Sequence, residues 1–265
     1  MKGRGLQAGS LLLGGLLIGL MMMGTTSYAM VPWVERPLTL RSGTSTCNVG
    51  LGTVHKPRQD QEWGLNLQGA IGLTSQFEMG LRTGIRLGQN LRLLKADQFG
   101  RLFDSETYGT RQDAISNLEL GLRYAMVQNK TVEMGIEWRT ILPIEENSYL
   151  GGVFALPIFI HLGHWGRVDS GMYVPMVSPA PQLFDTLSFP VRVWFQINRE
   201  VWFGPLGAFR IDPKAGDFTL LTGLGLGYSL GEAVDLKGQL LFPHIYKPKG
   251  AEEFGLAVGV QLRLE

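Results

Sequence analysis

The chain is poor in cysteine, carries almost no excess charge and, beyond its first 29 residues, has no long hydrophobic run. Each shortage excludes something. Cys47 alone leaves no intrachain disulfide to build on. It follows Thr44, Ser45 and Thr46, far from the apolar N-terminal run, so it is not placed as a lipid-modified N-terminal cysteine. With 24 Lys and Arg against 23 Asp and Glu, the chain lacks the basic footprint that nucleic acid demands. No later segment reaches the roughly 20 apolar residues of a spanning helix, so a mature chain that crosses a membrane must do so as a closed β-barrel. Glycine is abundant at 36 residues, yet it shows no Gly-X-Y period and no Ser- or Gln-rich tract surrounds it. That excludes collagen and speaks against disorder.

The N-terminus reads as an export signal. Lys2 and Arg4 precede an apolar run over 11–23, and Ser27-Tyr28-Ala29 supplies small residues for cleavage after Ala29. The run is short for an uncleaved anchor. Residues 1–29 are therefore expected to be removed, leaving 30–265 as one domain with 22 basic and 23 acidic residues once Lys2 and Arg4 are gone.

What the mature region does have is strict alternation. In 254–265, Phe254, Leu256, Val258, Val260, Leu262 and Leu264 alternate with Gly255, Ala257, Gly259, Gln261, Arg263 and Glu265. Residues 77–88 repeat the pattern with mostly large apolar residues on odd positions, and 63–73 repeats it just before a three-residue turn, 74–76. Further strands are expected over 46–55, 118–126, 132–139, 150–161, 168–177, 187–197, 201–211, 218–228 and 234–242, about twelve in all. Pro157 lies where alternation weakens, and a bulge or irregularity is expected near 154–160. Gly223-Leu224-Gly225-Leu226-Gly227 has the look of a nucleotide-loop fragment, but no helix comes after it and it reads as a strand with glycine on one face.

Connections alternate between short and long, as at the two ends of an outer-membrane barrel, and an even strand count puts both chain ends on the short-turn, periplasmic side. Phe77, Tyr124 and Tyr228 lie on the apolar face beside short turns, and Phe189, Phe218 and Phe242 beside long loops, the placement of two aromatic girdles. The fold class expected is all-β: a transmembrane antiparallel barrel of about twelve strands with short periplasmic turns and longer extracellular loops. A soluble exported barrel has the same alternation with its apolar face inward.

If the apolar face meets lipid, the other face lines the lumen. Its long residues are Arg82, Arg86, Arg123, Arg139, Arg192, Arg210, Lys237 and Arg263, with Glu78, Glu119, Glu133, Glu137 and Asp235. Basic groups in a narrow pore raise the local concentration of anions, which makes these the candidate selectivity residues of an anion-leaning passage for small solutes. The same residues, paired across the lumen, would instead fill it and give a closed structural or surface barrel. The loop 90–113 is a candidate for folding inward. No cofactor or metal is expected: His161 and His164 sit at a strand end and suit hydrogen bonding better than ligation. A barrel enzyme acting on lipids would need a rim serine and histidine. His244 with Ser148, Ser178 or Ser188 is the best available set, and no nucleophile motif surrounds it.

The segments Gly72-Leu-Thr-Ser-Gln-Phe-Glu-Met-Gly80 and Leu118-Glu-Leu-Gly-Leu-Arg-Tyr124, the final alternating strand and the opening Arg36-Pro-Leu-Thr-Leu40 resemble porin-like outer-membrane β-barrel transporters of Gram-negative proteobacteria. The resemblance covers nearly all of 30–265. It implies residence in the cell outer membrane, contact with outer-membrane lipid and small solutes, insertion by the barrel assembly machinery, and passive transport without catalytic residues.

Overall fold

The computed structural model describes residues 30–55, 62–86, 95–96, 102–103, 118–144, 150–177, 187–212, 217–242 and 250–264. The expected export signal at 1–29 lies outside them. So does the loop 90–113, apart from a short pairing of Lys95–Ala96 with Leu102–Phe103.

Period-two alternation holds because successive side chains of a strand point to opposite faces of the sheet. Twelve such strands close into one antiparallel barrel. Numbered along the barrel, they are β1 Ser45–His55, β2 Glu62–Gly72, β3 Phe77–Arg86, β4 Leu118–Gln128, β5 Val132–Leu142, β6 Gly151–His161, β7 Gly166–Val177, β8 Leu187–Gln196, β9 Val201–Asp212, β10 Asp217–Leu230, β11 Val234–Phe242 and β12 Phe254–Leu264. Neighbours in the chain are neighbours in the barrel, and β1 pairs with β12 from Ser45↔Leu264 to His55↔Phe254 to close it. At 9 to 14 residues, the strands have the length of tilted membrane crossings.

The two faces settle which side meets lipid. Met79, Leu81, Leu120, Leu122, Val191, Phe203, Leu226 and Val258 point outward and are exposed, whereas Glu78, Arg82, Glu119, Arg123, Glu137 and Arg139 are buried inside. A soluble barrel would reverse this; apolar side chains around the whole circumference belong in hydrocarbon. Tyr124 and Tyr228 stand exposed near the short turns and Phe218 at the opposite end, as the girdles require, although the connection beside Phe218, 213–216, is four residues and no longer than the turns.

The expected irregularity at 154–160 is an interruption of pairing on one side and not a bulge. The strand β6 keeps a single register with β7 from Gly151↔Val177 to His161↔Arg167. Only its pairing to β5 skips Leu156 and Pro157, consistent with the missing proline N–H. The register shift falls in β4 between Ala125 and Val127, so that Gln128 pairs with Glu133. One extra residue inverts the facing of the rest of the strand, and it brings Gln128 inward at the short-turn end.

Alternation weakens in β6 for a different reason: its inner face is apolar. Val153, Ala155 and Phe159 join Ile141, Tyr173 and Leu38 in one interior cluster. A second cluster holds Trp194, Trp202, Leu206, Leu241 and Val34, with Trp33 and Leu221 packed against it. Leu38, Val34 and Trp33 belong to the segment that precedes the first strand. Residues 31–42 thus run inside the barrel and across its short-turn mouth.

Candidate functional site

The segment is seated by contacts to strands all round the lumen. At one side Leu40 N–H donates to Glu78 (2.9 Å) and Leu38 N–H to Glu133 (2.9 Å), while Arg123 donates to Leu38 O (3.1 Å). Thr39 Oγ1 donates to Ser75 O and accepts from Gln128 Nε2, the residue that the β4 bulge turns inward. At the middle, Arg36 forms a two-pronged pair with Asp235 (2.6 and 3.1 Å) and reaches Ser229. Bidentate geometry makes this a strong, directional anchor. Arg167 donates to both Trp33 O and Arg36 O, each at 2.9 Å. At the far side a 3₁₀ turn, Trp33–Glu35, presents Val34 N–H to Gln196 Oε1 and Val34 O to His161 Nδ1. His161 Nε2 lies 2.8 Å from Glu133, so this histidine serves the hydrogen-bonded seat of the segment.

Trp33 lies flat on Trp202, centroids 4.8 Å apart, and edge-on to Trp194. Glycines make room for these indoles: a Cβ at Gly225 would stand 2.7 Å from the Trp194 ring, and one at Gly227 would overlap Trp202. The Gly223–Gly227 motif is thus a pair of sockets for interior tryptophans.

On β3 to β5 the expected charged residues form one connected chain. Arg82 pairs with Glu119 (2.5 Å), Glu119 with Arg139 (3.8 Å), Arg139 with Glu137 (2.5 Å), Glu137 with Arg123 (2.7 Å) and Arg123 with Glu78 (3.0 Å). Three guanidinium groups meet three carboxylates, so the chain carries no net charge. All six are buried. Buried charges are tolerable only when paired in this way, because desolvation is otherwise expensive. A small cavity opens beside the chain, lined by Gln68, Glu78, Arg82, Glu119, Arg123 and Arg139.

The remaining expected residues lie elsewhere. Arg263 joins Arg36 at Asp235 and donates to Glu232 O. Arg192 is buried near the Trp194 ring. Lys237 is hydrogen-bonded to Gln261 and sits 4.3 Å from the Trp33 centroid. Arg210 is half-buried on β9. The side chain of Arg86 lies outside the described residues, as do Ser148, Ser178 and His244; Ser188 is paired in β8 with Arg210 and Tyr173.

Lys237 and Arg192 line the larger cavity together with Trp33, Trp194, Trp202, Asn48, Asn66, Gln68 and Gln239 and the glycines 50, 52 and 259. Sequence reasoning missed Arg36, Arg167, Asp169 and the three tryptophans Trp33, Trp194 and Trp202. Arg167 and Asp169 hold each other at 2.5 Å, and Asp169 also accepts from Trp194 Nε1. Their one available signal was an Arg-Val-Asp triplet placing two opposite charges on the same face of β7.

No family model matches the sequence, and no curated protein matches it. Solved structures do. The chain is similar to the KdgM porin in complex with disordered oligogalacturonate, with a TM-score of 0.58 at 8% identity over 83% of this chain and 99% of that one. It is similar to the NanC porin, with 0.58 at 8% over 82% and 100%. An outer-membrane channel from Pseudomonas putida F1 gives 0.53 at 10% over 89% and 100%. The fold is that of porin-like outer-membrane β-barrels.

Proposed function

We propose that the mature chain is a narrow outer-membrane channel for passive passage of small solutes, with the short turns and residues 31–42 at the periplasmic side. One observation carries the reading. The ion-paired chain fills the β3 to β5 side of the lumen, while the β8 to β12 side, with β1 and β2, keeps the larger cavity, which the N-terminal segment bounds through Trp33. A route for solute runs through that second side. Its described lining holds two cations, Lys237 and Arg192, and no carboxylate, which supports an anion-leaning passage. On this reading selectivity rests there, whereas Arg82, Arg123 and Arg139, each neutralised by glutamate, pack the barrel wall. The similarity to porins and to an outer-membrane channel supports the same assignment at the level of the fold.

Planar-bilayer recording of residues 30–265, refolded, tests it. Small, steady steps with an anion-biased reversal potential in a salt gradient are expected. A correctly inserted barrel with no conductance would rule out the channel and leave a closed structural one.

A further inference from the structure

One fastening of the segment 31–42 is a histidine whose two neighbours fix its protonation. His161 closes β6 with Nδ1 2.9 Å from Val34 O and Nε2 2.8 Å from Glu133 Oε1. A backbone carbonyl only accepts hydrogen bonds, so Nδ1 carries a proton. An ionised carboxylate also only accepts, and a neutral imidazole has a single N–H to give. The second contact therefore needs a second proton, on Nε2 or on Glu133 itself. Together the two contacts hold one proton more than a neutral histidine beside an ionised glutamate.

Without that proton, either tautomer of His161 sets a nitrogen lone pair against an oxygen lone pair, at Val34 O or at Glu133. Both contacts belong to the seat of the segment. Val34 lies on it, and the other oxygen of Glu133 accepts from Leu38 N–H at 2.9 Å. The remaining charges nearby are answered elsewhere. On β7, Arg167 is the register partner of His161, but Asp169 neutralises it at 2.5 Å and its other bonds go to Trp33 O and Arg36 O. On the segment, Arg36 is paired with Asp235 and Glu35 is exposed, as is His164 in the turn after β6. Glu78, which holds Leu40 N–H, acts with the opposite sign, because its charged form is the better acceptor.

We infer that His161 and Glu133 form a proton-dependent latch for residues 31–42, which seats the segment while the pair holds its extra proton and releases it from the mouth as pH rises. Histidine ordinarily changes charge between about pH 5 and 8, so a rise across that range is the stimulus. The latch is a property of the segment, and its effect on passage rests on the channel reading.

Hydrogen–deuterium exchange of refolded residues 30–265 in detergent, at about pH 5.5 and about pH 8 and corrected for intrinsic exchange, tests it. Amides in 34–40 are expected to exchange at least about tenfold faster at the higher pH, with those inside β6 unchanged. Glu133→Gln meets every hydrogen bond without the extra proton: its amide N–H donates to Nε2, its carbonyl accepts from Leu38 N–H, and neutral His161 keeps Nδ1–H on Val34 O. That variant should stay protected at both pH values. His161→Gln removes the titrating ring and should abolish the step. Heat-dependent mobility on a gel shows which variants are folded barrels. Equal corrected exchange in the unaltered chain, or a step retained by folded Glu133→Gln or His161→Gln, would overturn the latch. In planar bilayers the unaltered chain should conduct more at the higher pH and Glu133→Gln should not. An exchange step with unchanged conductance would overturn the control of passage, and silence at both pH values would sink the channel reading alone, with exchange still deciding the latch.

Discussion

Trp33 and Trp202 stack with their ring planes 6° from parallel, one on the segment before the first strand and the other on β9. A stacked pair this far apart in the chain fastens a non-strand segment to the barrel wall. Each contributes to the same interior cluster, so the stack also buries apolar surface that would otherwise face the lumen.

Removing the segment should open the mouth. A chain beginning at Gly43 lacks the Arg36–Asp235 pair, the tryptophan stack and the Leu38 and Leu40 hydrogen bonds. Single-channel conductance several-fold above that of residues 30–265 is expected in planar bilayers; equal conductance would mean that the segment does not limit passage.

The Arg123 position should be the most sensitive of the interior charges. Its guanidinium serves Glu78, Glu137 and Leu38 O at once. Arg123→Met leaves buried Glu78 without its arginine and Glu137 with Arg139 alone, and should cost about 3–5 kcal/mol in urea unfolding from liposomes. Adding Glu137→Met should recover part of that loss. If the single variant unfolds at the same denaturant concentration as the parent, the pairing has no structural weight.

Lipid contact has its own test at Val258 and Leu122, both exposed and near the middle of their strands. Arginine at either site should destabilise the inserted barrel by about 2–4 kcal/mol. An unchanged unfolding midpoint would argue that this face does not lie in hydrocarbon.

Ion preference separates the two groups of cations. Lys237→Glu should move the reversal potential toward cations, since it alters a cavity wall that holds no carboxylate among its described lining. Arg82→Gln, which removes the nearer arginine of Glu119, should act mainly on stability. The opposite ranking in a salt-gradient measurement would return selectivity to the ion-paired chain.

Much of this architecture was legible in the residues. The twelve strands fall within a few positions of the alternating segments, as with 234–242 and Val234–Phe242, because alternation reports directly which residues share a face. Glu119, Arg123, Glu137 and Arg139 were recognisable as interior for the same reason. The bulge was not read: Pro157 is the conspicuous residue, yet β6 keeps its register and the extra residue lies at Met126, marked in the sequence only by the change of parity between Ala125 and Gln128.

The chain by itself determined the barrel, since period-two alternation, turn spacing and the lack of a helical span are all local properties. Only the tertiary structure decided what fills it. The segment 31–42 is held by partners up to 199 residues away, as Arg36 is by Asp235, and no short-range pattern encodes such a pairing. Closure of the barrel brings Asp235, Glu133, Glu78 and Trp202 to one mouth, and their unmet hydrogen bonds and apolar faces then select the segment that completes them.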